Sequence, residues 1–151
     1  MSFWNILRIG ASALSSQRLR LDLIANNIAN AETTRTDEGG AYQRQDVIFA
    51  PQGGNSFLPH FLQARNNASN GPDMNSAGVR VASIVTDDEP GPRIYDPTHP
   101  DADADGFVTY PNVNLVVEMT NMLSATRSYE ASLQVVDAGK RMALKALEIG
   151  R

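Results

Sequence analysis

The sequence predicts a mainly α protein with a small β-rich middle, in which two long terminal helices flank short strands and an irregular loop. Three observations predict it. Apolar residues recur every seven positions near the N-terminus, a long apolar-periodic segment follows Pro111, and short β-branched and aromatic runs broken by turn residues lie between them.

The first helix is predicted from Phe3 to about Asn30. Leu7, Leu14, Leu21 and Ile28 fall at seven-residue spacing, with Phe3, Gly10, Ala11, Ala13, Ile24, Ala25 and Ala31 beside them. That is one narrow stripe, and because a heptad drifts only about 20° on a straight helix, it can follow a partner helix along the whole segment. Ser2 is positioned to cap it.

The middle carries four predicted strands, Tyr42 to Phe49, Val79 to Thr86, Arg93 to Tyr95 and Phe107 to Tyr110, with Asp87 to Pro92 (DDEPGP) as a turn between two of them. Pro51 to Gly78 reads differently. Gly, Pro, Asn or Ser make up 15 of its 28 residues, which gives the backbone little reason to join a ladder, so an irregular loop is predicted there. It holds an isolated apolar cluster, Phe57, Leu58, Phe61 and Leu62.

The second helix is predicted to begin after Pro111, with Asn112 or Asn114 available as a cap, and to run to about Ile149 before Gly150. Its stripe is Val116, Met119, Leu123, Thr126, Leu133, Val136, Leu144 and Leu147, with Met122, Tyr129 and Ala143 beside it and Glu130 and Lys140 interrupting. At about 1.5 Å per residue the two helices would span about 40 and 55 Å, longer than a compact domain of this size needs. Residues 1–34 and 111–151 therefore divide off as one discontinuous helical unit, with 35–110 as a separate strand-and-loop region. Two helices with one narrow seam each bury little apolar surface against the entropy of ordering them, so both are expected to gain order by packing on further helices. Gly10 and Gly139 lie inside the predicted helices, and if these run antiparallel the two glycines fall near the same level, where a close approach would offset their cost.

Composition narrows the function classes. The chain has no cysteine, which excludes disulfides, thiolate zinc sites and cysteine nucleophiles. A net charge of −4 argues against a nucleic-acid partner. The charge is uneven: Arg8, Arg18 and Arg20 stand near the N-terminus, Lys140, Arg141, Lys145 and Arg151 near the C-terminus, and seven acids against Arg93 lie between Thr86 and Gly106. No cleavable signal and no stretch of about 20 apolar residues is seen. Asp101, Asp103, Asp105 and Gly106 match the opening of a calcium loop, but the twelfth position is Asn112 and prolines deny the flanking helices, so no metal or cofactor is expected. His60 and His99 lie in proline-flanked loops with no partner spacing for a nucleophile or metal triad, and no carboxylate pair is set up for glycoside hydrolysis. No enzyme activity and no small-molecule substrate are expected.

Two stretches carry a resemblance. LDLIANNIANAETTRTDEGGAYQRQDVIF, Leu21 to Phe49, places Asn26, Asn27 and Asn30 at the end of a helix better built without them, where by physics alone they mean fraying or a cap. YDPTHPDADADGFVTYPNVNLVVEMTNMLSATRSYEASLQVVDAGKRMALKALEIG, Tyr95 to Gly150, adds the words DPTHPDA and YPNVN with Asp96, Pro97, His99, Pro100, Tyr110, Pro111 and Asn112. Together they cover 85 of 151 residues and resemble the flagellar axial proteins, the rod and hook group, and within it the proximal rod. That resemblance implies a structural subunit of the bacterial flagellar basal-body rod, placed in the periplasm and exported by the flagellar type III apparatus without a cleavable signal. It implies terminal helices paired antiparallel as a coiled coil and packed on those of neighbours. Other rod subunits, further copies of the chain and the ring and export-gate proteins at the rod base would be its partners. The helix seams, Leu7, Leu14, Leu21, Ile28, Met119, Leu123, Leu133, Val136, Leu144 and Leu147, are the expected assembly interface. A paralogous rod or hook subunit is the near alternative. A membrane-surface helix built on Phe3, Trp4 and Arg8 through Leu21 is the distant one.

Overall fold

Asn114 begins the longest element. Its Oδ1 accepts the N–H groups of Val116 and Val117 at 3.1 and 3.2 Å, which satisfies two amides that a helix start leaves open. The computed structural model describes residues 3–37, 39–52 and 78–149. Their order is α1 (Phe3–Ala29), β1 (Gln45–Pro51), β2 (Val79–Thr86), β3 (Arg93–Tyr95), β4 (Phe107–Thr109) and α2 (Leu115–Ile149). Two terminal helices with small antiparallel pairings between them match the expected class. Ser2, the bulk of the expected loop (53–77) with its apolar cluster, and His60 lie outside the described residues.

α2 starts at Leu115 after Pro111, with Asn114, one of the two expected caps, in place. Both ends of β1 differ from expectation for local reasons. β1 starts at Gln45 and not at Tyr42, whose N–H is already given to Thr33 O at 3.1 Å. Pro51, expected to open the loop, closes β1 opposite Val79.

α1 and α2 run antiparallel, since Ile6 meets Gly139, Gly10 meets Val136 and Asn27 meets Glu118. A Cβ on Gly10 would overlap Val136 Cγ2, and one on Gly139 would lie 3.2 Å from Ile6 Cγ2. Both helix-interior glycines thus mark a close approach, and their loss of helix propensity is offset by contact.

β1 and β2 form a hairpin with Gln45 opposite Thr86 and Pro51 opposite Val79, and the register shifts between Ile48 and Phe49. It lies along α1: Ser12 Oγ, which donates to Ile9 O, accepts the N–H of Val79 at 3.2 Å. β3 and β4 form a second, separate sheet, so DDEPGP links two hairpins and makes no turn within one. In that second hairpin Tyr95 meets Phe107 edge to face at 5.3 Å, and the Arg93 guanidinium sits 5.2 Å from the Phe107 ring centre. The turn after Asp103 needs Gly106, whose φ is 77°.

The core is small. Among the described residues the buried apolar side chains are Leu23, Ile24, Val108 and Ala125, and buried Ser16, Asn27 and Glu118 stand beside them.

Candidate assembly interface and its polar node

α2 presents two kinds of surface. Its face toward α1 includes Glu118, Ala125 and Gly139, buried, with Val136 half-buried against Gly10. The large apolar residues point elsewhere. Leu115, Val116, Val117, Met119, Leu123, Leu133, Val135, Met142, Leu144 and Leu147 are all exposed, Leu123 by 63% and Leu147 by 72%. At about 100° per residue, Met119 and Leu144 fall on one flank of the inward seam, Val117, Val135 and Met142 on the other, and Val116 and Leu123 nearly opposite it. On α1, Leu7, Leu14, Leu21 and Ile28 are half-buried. The α2 stripe read from the sequence is therefore exposed apart from Val136, and its Leu144 and Leu147 lie beyond the start of α1. The residues that let the helices approach are small or polar.

The two helices and the hairpin are joined by a polar node. Asn27, fully buried, donates from Nδ2 to Gln45 O at 2.8 Å and to Glu118 Oε2 at 3.3 Å. Its Oδ1 accepts Gln45 N at 2.9 Å and the Tyr42 hydroxyl at 3.0 Å. Every donor and acceptor position of the amide is used, and the opposed N–H and C=O of Gln45 allow only this amide orientation. Glu118, 1% exposed, accepts Arg44 Nε at 3.0 Å on Oε1, with Asn121 Nδ2 at 3.4 Å on the same oxygen. Arg44 also lies 3.5 Å from Asp46. Burial works to lower the Arg44 pKa, but the hydrogen bond and charge of Glu118, with Asp46 and Asp87, leave it raised above its usual value. Burial, then the charge of Glu118, pushes the Tyr42 hydroxyl up as well. Both shifts favour a charged Arg44 and a protonated Tyr42 hydroxyl.

Asn27 is thus neither fraying nor a cap, because it bridges elements distant in sequence. Asn30 does close the helix: its N–H and Nδ2 both donate to Asn26 O, at 3.0 and 2.9 Å, while the Asn26 side chain is exposed. Glu118 and Arg44 were not among the expected site residues. The available signal was an acid set directly between LVV and Met119 at a helix start, where it breaks an otherwise apolar run.

The DPTHPDA loop is held by its own polar groups. Asp96 Oδ1 accepts Thr98 Oγ1 at 2.6 Å and Thr98 N at 3.0 Å, which with the neighbouring His99 holds the Asp96 carboxyl below the usual carboxylate range. His99 Nδ1 accepts Asp101 N at 3.1 Å, and Asp101 in turn takes Thr34 Oγ1 at 2.8 Å and lies 3.7 Å from Arg35. This loop therefore docks on the segment leaving α1. Pro97 and Pro100 are exposed within it. Tyr110 donates its N–H to Pro92 O at 3.0 Å, Pro111 is buried, and the Gly91 backbone rests so close on Tyr110, Pro111 and Asn112 that a side chain there would overlap them. The three aspartates of the calcium-like run do not converge: Asp101 goes to Thr34 and Arg35, Asp103 to Arg93 at 3.2 Å, and Asp105 is exposed. No group of three or more metal-ligating side chains occurs among the described residues.

Both ends of the chain match families of one class. Residues 7–35 match the family described as flagella basal body rod protein, and residues 104–149 match the C-terminal family of flagellar basal body rod FlgEFG proteins. These matches place the chain in the class of flagellar basal-body rod proteins. The chain is 44% identical to the flagellar basal-body rod protein FlgC of Borreliella burgdorferi, over 99% of this chain and 98% of the relative. It is 40% and 36% identical to the proteins of that name from Bacillus subtilis and Salmonella typhimurium, each over the full length of both chains. The chain belongs to the FlgC family of flagellar basal-body rod proteins.

Proposed function

We propose that this chain, a structural subunit of the flagellar basal-body rod and not an enzyme, builds the rod through its terminal helices. One observation carries the reading: ten large apolar side chains of α2 stand exposed, while four apolar side chains are buried among all described residues. A helix that shows water more leucine, valine and methionine than it hides has its packing partners in other molecules. The apolar flanks on both sides of the inward seam suit a helix pair set between neighbours on either side, each supplying a heptad stripe, and the paired helices would then continue as a coiled coil.

In this reading residues 1–34 and 111–151 act as one discontinuous core, with 35–110 outside it. Leu7, Leu14, Leu21, Ile28, Met119, Leu123, Leu133, Val136, Leu144 and Leu147 meet other rod subunits and further copies of this chain. Ring and export-gate proteins at the rod base are the proposed contacts at its end. A periplasmic rod position, reached by type III export, fits a family whose members are rod proteins. The membrane-surface alternative has less support, since the Arg8 to Leu21 segment is engaged within the fold, by Gly10 against Val136 and by Ser12 with Val79.

Leu133→Asp tests the reading in a flagellated strain. Leu133 is half exposed, so the free subunit should stay soluble and folded. In the rod the added carboxylate would be buried without a partner, so basal bodies should lack a completed rod and cells should not swim. Leu14→Asp should act in the same way. Normal swimming with either substitution would remove the interface assignment.

A further inference from the structure

The small-residue seam between α1 and α2 does not by itself select one register. α2 is longer than α1, 35 residues against 27, and overhangs it at its C-terminal end, so α2 can slip by one heptad toward its own N-terminal end without loss of overlap. In the observed register Ile6 meets Gly139, Gly10 meets Val136 and Asn27 meets Glu118. After that slip Ala146 would come under Ile6, Ala143 under Gly10, Gly139 under Ala13 and Ala125 under Asn27. Each of these is small, so the close approach survives with one adjustment: the Ala146 Cβ would take the position 3.2 Å from Ile6 Cγ2, and Ile6 must give by a few tenths of an ångström. The polar node does not survive: Glu118 would move about 10 Å along the axis, away from Arg44 and Asn27.

From this contrast we infer that Glu118, with Arg44 and Asn27, is the positioning element that sets the register of the terminal helix pair and joins it to the β1–β2 hairpin. A carboxylate that is 1% exposed and holds three donors is costly anywhere those donors are absent, so the slipped pair carries a penalty that the apolar contacts do not impose. Asn27 grips both backbone groups of Gln45, and Arg44 is its neighbour in sequence, so the hairpin and α2 are indexed to the same point on α1. The register decides where along the molecule the exposed residues of α2 are presented. The inference concerns contacts within one chain and holds whether or not those residues are the assembly surface.

The natural chain has no cysteine, which makes disulfide trapping in the full-length protein direct. Ile6→Cys with Gly139→Cys reports the observed register, and the shorter side chain at position 6 leaves room at position 139. Ala13→Cys with Gly139→Cys reports the slipped one, because in the observed register these positions are about seven residues apart along the axis, beyond the roughly 7 Å Cα reach of a disulfide. Oxidation should trap only the first pair in the natural background and with Glu118→Gln, which keeps an acceptor for Arg44. With Arg44→Met and Glu118→Leu together, far-UV circular dichroism should show the helices retained and the slipped disulfide should rise from undetectable to a yield comparable with the first. Three results would overturn the proposal. They are trapping of only the first pair in the double variant, as expected if the Asp101 contact with Thr34 holds the register; equal trapping of both pairs in the natural background; and loss of helicity in the double variant, which would make the node a source of stability and not of register.

Discussion

Asn27 occupies a helix position where an alanine would be intrinsically better, and its four hydrogen bonds explain why an asparagine stands there. Asn27→Ala leaves the N–H and C=O of Gln45 without partners on that side, and we expect a loss of about 2 kcal/mol in urea unfolding with faster amide exchange at Gln45. Arg44→Met alone removes one half of a buried ion pair and should cost about 3 kcal/mol, more than the combined Arg44→Met and Glu118→Leu change, as a double-mutant cycle would show. Asp96 supplies a pH dependence. Thr98 bonds to its carboxylate, so its folded pKa is depressed, and the stabilisation is present above the ordinary carboxylate value and lost as pH falls through the folded one. The Thr98 amide should therefore lose exchange protection only in that acid window, while the Asn27 node, which has no contact with Asp96, should not follow it.

At the scale of elements, the helix pair depends on shape at two glycines. Gly10→Val would force a branched side chain into the space of Val136 Cγ2, and overpacking of this kind costs about 1 to 3 kcal/mol. Val136→Ala should recover part of that loss, measured as a shift of the thermal midpoint back toward the natural protein; a helix pair that tolerates Gly10→Val unaided would contradict the close approach. The spacing of Gly10 and Gly139 was visible in the sequence, and so were the helix limits to within a few residues and all four strands. The periodic side chains that define those elements lie close together in the chain. The pairing of strands into two separate sheets was not legible, because DDEPGP serves equally as a turn within one sheet or a link between two.

Over the whole molecule, the contrast between a small core and a large exposed apolar area sets the behaviour of the free subunit. α2 extends past the N-terminal end of α1 in the observed register, so residues Ala143 to Glu148 have few partners among the described residues. Amides there should exchange much faster than those of Ser132 to Gly139 in the free protein, and should become protected in isolated basal bodies. Equal protection in both states would show that the overhang needs no neighbour.

What the sequence by itself determined is the two periodic ends, the turn-rich middle and the motif words that mark a rod protein, since each depends on residues close together in the chain. Which face of α2 turns inward was decided only by the tertiary structure. A heptad of leucines reads as an internal seam, yet the closest backbone approach comes at glycine, where there is no side chain to hold two helices apart. Glu118 likewise has no meaning until Arg44 and Asn27 are brought to it across 74 and 91 residues, where the desolvation of a charge at that one point is offset by donors from α1 and from the segment leading into β1.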